Sequence, residues 1–593
     1  MMRRTALGLR WPGLALAIGC SVYGCSSADP PGSEAATGGG GQAATGGSSN
    51  GSGGFTGGTG GSASGAGGSA SGTGGAPSGS GGSPNGTGGA PNGSGGSTAG
   101  TGGATGGSSG SGGDGAAGAS GAPDMNPDDG PPAAPEGQLP NDRRPEGPGL
   151  ISDTLEFRHH NQPSVINGYL QLSGNALISL YDLSDPTAPE LLAFRESPGH
   201  CQDGGCGEAE GHQVSFAKYG STFYTATIRG KGIDIWDITD VRDPKHVKAV
   251  DIPGVNYGDF TEAVWGVAWQ GTTIYVGGTN TGVHVIDATD PANATLVKSV
   301  PQGQVGNVNA GPLFAIGNLL VVTTPKDNRG VATLDISSPH QPMILDSVIP
   351  QQNSYIGWFY RHHVYLLNPI RVYDVLSDPT DITQVNGNRP GGYWEYMSFQ
   401  DGYMFAGRIR PNPGADKIDV SDLSNFVWDS SIVGRRNLSG NADPENDDQF
   451  TVAIGNLLVL SDDQLHTVGP NTGKAAGTVI AVHDVEPDTT PPYVDTIIPK
   501  DGATGQPVTT RVGISFTDNV ELATVDTRSF IVRPIGGQAL PGTFSVTMSV
   551  LNFDPAEPLQ PNTTYEVVLP AGGVKDYVGN GMAEEFRSTF TTQ

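Results

Sequence analysis

The stretch Trp236-Asp237-Ile238-Thr239-Asp240 decides the fold, because variants of it recur along the chain. Each copy is an apolar segment that ends in Asp, followed by a short polar turn and, in most copies, by Pro. Successive copies lie roughly 40–65 residues apart, which is a spacing typical of repeat architectures. The first Asp of each copy lies at Asp182, Asp237, Asp287, Asp335, Asp374, Asp419 and Asp484. Seven copies of one unit predict an all-β, seven-bladed β-propeller over residues 150–487.

Each repeat unit reads as four short antiparallel strands joined by tight turns. In the third unit, Gly266–Trp269 and Ile274–Gly277 predict the first two strands, and Gly282–Asp287 predicts the third. A single four-stranded sheet cannot bury both faces, whereas a ring of such sheets buries them and protects its edges. Because the first unit is short before its Asp, we expect a strand from the C-terminal end to complete it and close the ring.

The repeated Asp is expected to be structural. Its side chain can accept backbone N–H groups where a strand breaks into a turn, and the following Pro fixes φ. Ile235–Asp240 and Val285–Pro291, each preceded by Gly, resemble the LVIVD repeat of bacterial surface propellers. The resemblance implies a surface propeller and no particular reaction.

The N-terminus has the features of an export signal. Arg3 and Arg4 precede a short apolar segment, and Val22-Tyr-Gly-Cys25 resembles a bacterial lipobox. We therefore interpret residues 1–25 as a lipoprotein signal peptide with Cys25 as the lipidated residue, and Cys20 as the alternative. Residues 26–148 are rich in Gly, Ser and Thr and have little to bury, so they predict a disordered tether.

The net charge of −28 excludes a nucleic-acid partner, because binding to a polyanion requires a basic face. We expect a monomer that meets the membrane only through its lipid anchor, exported to the outer membrane or cell surface.

The C-terminal segment 488–593 predicts a second domain. Alternating strands are expected at 494–498, 511–516, 530–533, 542–550, 564–569 and 587–591, which is the pattern of a β-sandwich. Pro499-x-Asp-Gly-Ala-Thr504 and Val574-Lys-Asp-Tyr-Val-Gly-Asn580 resemble a bacterial Ig-like domain. The resemblance implies an adhesive or spacer module. Asp576 and Asn580 could bind Ca²⁺, but we interpret them as a hydrogen-bonded turn.

The segments before the innermost strands should converge at one end of the central channel, where propellers usually bind ligands. They are enriched in His, acidic and amide side chains that suit a polar ligand or a divalent cation such as Ca²⁺. The candidate ligand-binding residues are His160, His212, Glu262, Asn309, Tyr355, Glu395 and Asp448.

Cys201 and Cys206 lie in the unusual loop from His200 to His212. Export favours oxidation, so we expect a disulfide between them. The alternative is a zinc site formed by both cysteines with His200 and His212.

No residue set specifies a reaction, and no cofactor is predicted beyond the possible cation. The sequence favours a surface binding or adhesion protein for an extracellular polysaccharide or protein. The alternatives are a metal-dependent hydrolase that uses the channel-mouth His and acidic residues, and a purely structural envelope protein.

Overall fold

The computed structural model of the chain describes residues 134–144, 149–152, 162–174, 177–198, 211–256, 259, 261–325, 330–350, 355–385, 392, 394–408, 412–433, 450–461 and 478–593. The predicted signal peptide with Cys20 and Cys25 lies outside these residues, as do Cys201, Cys206 and most of the predicted tether.

Seven four-stranded antiparallel sheets form the blades of a propeller, which confirms the predicted fold class. Blades 1 to 6 take four consecutive strands each, from β2–β5 in blade 1 to β22–β25 in blade 6. The strands are β1 (Gly149–Ser152), β2 (Ser164–Ile166), β3 (Tyr169–Gly174), β4 (Leu177–Asp182), β5 (Glu190–Glu196), β6 (Ser215–Tyr219), β7 (Thr222–Arg229), β8 (Gly232–Asp237), β9 (Lys245–Asp251), β10 (Gly266–Gln270), β11 (Thr273–Gly277), β12 (Val283–Asp287), β13 (Thr295–Val300), β14 (Leu313–Ile316), β15 (Leu319–Thr323), β16 (Val331–Asp335), β17 (Met343–Val348), β18 (Tyr355–Tyr360), β19 (His363–Leu367), β20 (Arg371–Asp374), β21 (Thr383–Gln384), β22 (Trp394–Gln400), β23 (Tyr403–Arg408), β24 (Gly414–Asp419), β25 (Val427–Val433), β26 (Phe450–Ile454), β27 (Leu457–Ser461) and β28 (Thr478–Val482).

The ring closes at blade 7, and the prediction of its closure was wrong. Blade 1 is complete without help, and β1 pairs antiparallel with β28 as the outermost strand of blade 7. The N-terminal strand therefore completes the last blade, because the segment before β2 is long enough to supply β1.

The Asp of each repeat lies where the third strand of a blade ends. In all seven copies its Oδ1 accepts a hydrogen bond from the backbone N–H two residues later, as in Asp237 with Thr239 at 2.9 Å and Asp287 with Thr289 at 2.9 Å. Such bonds satisfy backbone donors that leave the sheet, so each Asp fixes the connection to the outermost strand.

The two innermost strands of each blade are joined by a two-residue turn. In blade 1 the turn is Asn167-Gly168, with φ of 54° and 77°, and in blade 6 it is Asp401-Gly402, with φ of 52° and 82°. Positive φ at both positions is the geometry of the type I′ hairpin, which Asn, Asp and Gly tolerate best. All seven turns lie on one face of the ring, and the connections that lead into the innermost strands lie on the other.

Large apolar side chains fill the space between the blades. Trp236 and Trp269 are 1 % exposed, and Phe314 and Tyr275 are fully buried. A buried aromatic ring removes roughly 150–250 Å² from water. At about 25 cal/mol per Å², that is worth roughly 4–6 kcal/mol as an upper estimate.

The C-terminal domain is a sandwich of two four-stranded sheets, β29-β31-β34-β33 and β30-β36-β35-β32. The predicted strand 542–550 is interrupted, because Met548 adopts φ of 55° and turns the chain into a hairpin. Short 3-10 helices at Pro291–Asn293, Gln302–Gln304 and Leu522–Thr524 complete the described secondary structure. The strands are β29 (Val494–Ile498), β30 (Ala503–Gln506), β31 (Val512–Phe516), β32 (Ile531–Pro534), β33 (Gly542–Thr547), β34 (Val550–Pro555), β35 (Thr564–Leu569) and β36 (Phe586–Thr592).

The sandwich packs against the turn face of the propeller. Its strand β33 pairs with β6, the innermost strand of blade 2, so one sheet runs through both domains. Gly513 in β31 approaches the turn of blade 4 so closely that a Cβ there would lie 2.0 Å from the Gly317 nitrogen. Backbone contacts this close require glycine, which makes the interface specific to this orientation.

Residues 134–144, which the sequence assigned to the end of the tether, also lie on the turn face. Leu139 is 4 % exposed, and the Gly137 N–H donates to the Asn167 carbonyl in blade 1 at 3.0 Å. The Asp142 carbonyl accepts from Asn456 Nδ2 in blade 7 at 2.7 Å. This segment therefore links the first and last blades before the chain reaches β1.

Candidate functional site

Aromatic rings fill the channel end that the sequence singled out. The His212 ring stacks on Trp265 with centroids 3.7 Å apart and an interplanar angle of 12°, and it lies 5.7 Å from Tyr396. Tyr396 stacks in turn on Phe450 at 3.9 Å. These rings come from blades 2, 3, 6 and 7, so the stack spans the channel from one side to the other.

His212 is a packing residue in this arrangement. It is fully buried, and that burial holds its pKa well below the usual 6.5, so the ring is neutral at physiological pH. A neutral, stacked imidazole suits an aromatic core and cannot touch a ligand outside it. The sequence could not show this, because a His before a strand looks the same whether it binds a ligand or stacks on a ring.

Gln213 holds three blades together beneath the stack. Its Oε1 accepts from the Val267 N–H at 3.0 Å and the Leu313 N–H at 2.9 Å, and its Nε2 donates to the Leu313 carbonyl at 2.7 Å. On the opposite side, Gln162 Nε2 donates to the Thr451 carbonyl at 3.2 Å. These buried amides satisfy inner-strand groups that have no neighbouring strand in the channel.

The other predicted site residues lie at separate places, and two of them are outside the described residues. Glu262 and Asn309 each adjoin a residue that contacts Thr279. Thr279 exchanges two backbone hydrogen bonds with Ala310, and its hydroxyl donates to the Thr261 carbonyl. Glu395 is half-buried beside Tyr396, across the aromatic stack. Tyr355 begins β18, and His160 and Asp448 lie outside the described residues.

The other end of the channel receives the hairpin between β33 and β34. Ser545 pairs with Ala217 and Val546 with Phe216, and the Thr547 hydroxyl lies 2.8 Å from that of Ser215. Ser215 is the first residue of β6, so the hairpin reaches along the whole innermost strand. In the described residues the channel is therefore filled from both ends.

Polar contacts fix the C-terminal domain to the other blades. Glu521, which is fully buried, accepts from the Asn167 and Gly168 N–H groups of blade 1 at 2.9 and 3.0 Å. Asn552 accepts from Gln270 Nε2 at 2.8 Å and from the Gly317 N–H at 2.9 Å, which ties it to blades 3 and 4. The C-terminal domain makes hydrogen bonds or close packing contacts with every blade.

A charged contact joins blade 5 to the sandwich. Asp495, with a side chain 5 % exposed, accepts from Arg361 Nε at 2.6 Å and lies 2.9 Å from His362 Nδ1. The hydrogen bond to Asp495 raises the pKa of His362, whereas burial lowers that of His363 to about 4. His362 belongs to the turn between the two innermost strands of blade 5, and β19 begins at His363.

Among the described residues, one group of three or more His, Cys, Asp or Glu side chains brings ligand atoms close enough for a metal. It consists of Asp401, Asp488 and Asp518 at the junction of the two domains, away from the predicted channel mouth. The sequence alone does not reveal this group, because Asp401 has the context of a turn residue and Asp488 that of a linker residue. Asp576 accepts from the Val578 and Asn580 N–H groups, so it forms a hydrogen-bonded turn.

Within the described ranges, no helix combines the length and apolar character needed to span a bilayer. Residues 488–592 match the family model of the bacterial Ig-like domain. A search of curated proteins finds no match to the chain.

Solved propellers resemble the chain at low identity. The β-propeller domain of Cps50 (Swd1) from Myceliophteria thermophila is 14 % identical, with 56 % of this chain and 99 % of that domain covered and a TM-score of 0.40. The WD40 domain of Neurospora crassa Pan2 is 10 % identical, with coverage of 58 % and 98 % and a TM-score of 0.39. A protein from Lactobacillus plantarum is 13 % identical, with coverage of 48 % and 87 % and a TM-score of 0.37. The seven four-stranded sheets and the family match together show that the chain combines a seven-bladed propeller with a C-terminal bacterial Ig-like domain.

Proposed function

We propose that this protein is a binding protein of the bacterial cell surface that holds its ligand on the propeller face opposite the Ig-like domain. The bacterial Ig-like match supports a surface location. The predicted lipid on Cys25 would provide the membrane anchor, and the predicted tether would carry the folded part away from it.

The observation that carries the proposal is the difference between the two faces of the ring. On one face, two-residue turns are covered by the Ig-like domain. On the other, longer connections lead into the innermost strands, such as 301–312 before β14. Long loops on a rigid scaffold are where binding residues concentrate.

The filled channel makes a ligand on this face more plausible than one inside the ring. Glu262 and Glu395 are partly exposed there and remain candidates to contact it, with His160, Tyr355 and Asp448 proposed from the sequence. The net charge of −28 disfavours a polyanion, so a neutral or basic extracellular polysaccharide or a protein fits best.

Binding of the labelled full chain to intact bacteria and to their extracellular polysaccharide tests the proposal. We expect the double variant E262Q/E395Q to bind at least tenfold more weakly. Glu190→Gln, an exposed change on the outermost strand of blade 1, should bind like the wild type. Equal retention of all three proteins, or no binding by the wild type, would contradict the proposal. Release of sugar reducing ends that stops with a chelator would favour the hydrolase instead.

A further inference from the structure

Three carboxylates from separate parts of the chain meet where blade 6 touches the Ig-like domain. Asp401 lies in the turn between β22 and β23, Asp488 follows β28, and Asp518 lies in the loop after β31. One carboxylate oxygen from each lies within 4.8 Å of the others. Backbone bonds fix their relative positions, since the Asp401 N–H donates to the Thr517 carbonyl at 3.1 Å.

Two of these carboxylates have an oxygen that the described residues leave without a hydrogen bond. Asp518 is 3 % exposed, and its one hydrogen bond in the described structure is from the Asn519 N–H to Oδ1 at 2.6 Å. Oδ1 of Asp401 is buried and accepts no hydrogen bond from the described residues. An ionised oxygen removed from water is costly unless a cation or a donor faces it, and among the described residues nothing of that kind faces Oδ1 of Asp401.

The charges around the cluster are acidic. Asp576 lies close enough to Asp401 and Asp518 to add to the negative charge of the group. Lys417 lines the adjoining cleft, but its Nζ lies 3.6 Å from Asp484 and 4.4 Å from the Tyr403 ring centre. Gln400 Nε2 donates to Asp488 Oδ2 at 3.3 Å, but among the described residues no Lys, Arg or His side chain forms an ion pair with the three carboxylates.

We propose that Asp401, Asp488 and Asp518 bind one Ca²⁺ ion that joins the propeller to the Ig-like domain. Their donor atoms are all carboxylate oxygens, which suit a hard cation. Two oxygens on opposite sides of Ca²⁺, each at about 2.4 Å, lie about 4.8 Å apart, so three oxygens within 4.8 Å of one another can all contact one ion. This site is separate from the proposed ligand face and does not depend on it.

Neighbouring side chains hold the Asp488 backbone in place, and a cleft connects the carboxylates to solvent. Asp576 and Asn580 form a closed turn beside the site, and Asn580 Nδ2 donates to the Asp488 carbonyl at 3.2 Å. Asn141 donates its Nδ2 to the same carbonyl at 2.6 Å and accepts from the Asp488 N–H at 2.7 Å, which holds the linker in place. A cleft of about 180 Å³, lined by Asp401 and Asp488, gives a hydrated ion a route to the carboxylates.

Calorimetric titration of the chelator-treated full chain with CaCl₂ at neutral pH tests the site. We expect one Ca²⁺ per chain and a thermal midpoint that rises with Ca²⁺. Asp518→Asn and Asp401→Asn should each weaken Ca²⁺ binding at least tenfold and abolish the rise. Asp429→Asn removes an exposed carboxylate elsewhere in blade 6 and should behave like the wild type.

Folding of each variant is checked by circular dichroism and gel filtration. Asp401→Asn is expected to fold like the wild type, because position 401 has a φ of 52°, a backbone conformation that Asn also tolerates. The proposal is overturned if the wild type shows neither binding heat nor a thermal shift up to about 10 mM Ca²⁺, which is beyond the range of extracellular calcium modules. Wild-type affinity in both folded variants would also overturn it.

Discussion

Replacing Asn552 with Ala should destabilise the propeller, although Asn552 belongs to the Ig-like domain. Its side chain is 3 % exposed and makes three hydrogen bonds to blades 3 and 4. Oδ1 accepts from Gln270 Nε2 and the Gly317 N–H, and Nδ2 donates to the Ala315 carbonyl at 2.8 Å. Each group left without a partner in a buried interface costs about 1–3 kcal/mol.

The magnitude follows from which partners lose their bond. Gln270 Nε2 still reaches the Gly317 carbonyl at 2.7 Å, whereas the Gly317 N–H and the Ala315 carbonyl lose the bonds that Asn552 supplies. Two such groups and one weakened contact predict a loss of about 3–6 kcal/mol in the free energy of unfolding. That is a large share of the roughly 5–15 kcal/mol that stabilises a typical domain.

Trp fluorescence during urea denaturation distinguishes unfolding of the propeller from unfolding of the Ig-like domain. The segment 488–593 contains no Trp, whereas six of the seven Trp residues lie in the propeller segment. Trp emission therefore reports on the propeller, and we expect its midpoint to fall in N552A. Asn293→Ala is the control, since Asn293 is exposed and bonds Asp290 within its own turn. A Trp transition in N552A that matches N293A would refute the coupling.

Three further predictions concern ring closure and pH. A chain that begins at residue 153 lacks β1, so its Trp-detected unfolding midpoint should be lower than that of a chain beginning at residue 149, which also lacks 134–144 but keeps β1; equal midpoints would contradict closure by β1. His362 has a raised pKa through Asp495, so its contribution to stability is present below its unfolded pKa and is lost as pH rises through the folded value. Changing His362 to Gln should therefore cost about 0.5–1 kcal/mol more at pH 5.5 than at pH 8.5, measured by urea denaturation, and a cost independent of pH would refute this. The raised carboxyl pKa of Asp401, about 7, makes the folded state hold more protons than the unfolded state, so the calcium-free protein should lose on the order of 2 kcal/mol of stability between pH 4 and pH 8. Thermal scans with a chelator measure that loss, Ca²⁺ should remove it, and a stability that rises over this range would contradict the account.

The sequence was sufficient for the blades because the information is local and repeated. An Asp such as Asp287 ends a strand and bonds the N–H two residues later, and that pattern can be counted without knowing any long-range contact. The sandwich followed from alternating apolar residues and from its turn sequences. In both cases, short segments carry the physical signal.

Contacts between distant segments could not be predicted in the same way. Nothing local distinguishes Gly513, which allows close approach to Gly317, from a glycine in an ordinary strand. Asp401 and Asp518 meet because two domains dock. His212 has the sequence context of a ligand-binding residue, but rings contributed by blades 3 and 6 enclose it. These features arise from tertiary packing, which a single sequence does not display.

The hairpin of the Ig-like domain occupies the propeller channel beside β6, and a double cysteine variant would trap that contact. Ser215 and Thr547 have hydroxyl oxygens 2.8 Å apart, so S215C/T547C should form a disulfide under mild oxidation. Peptide mapping by mass spectrometry without reduction should recover the linked peptides from β6 and β33, with the single variant S215C as control. Recovery of both new cysteines as free thiols in the folded double variant would contradict the account.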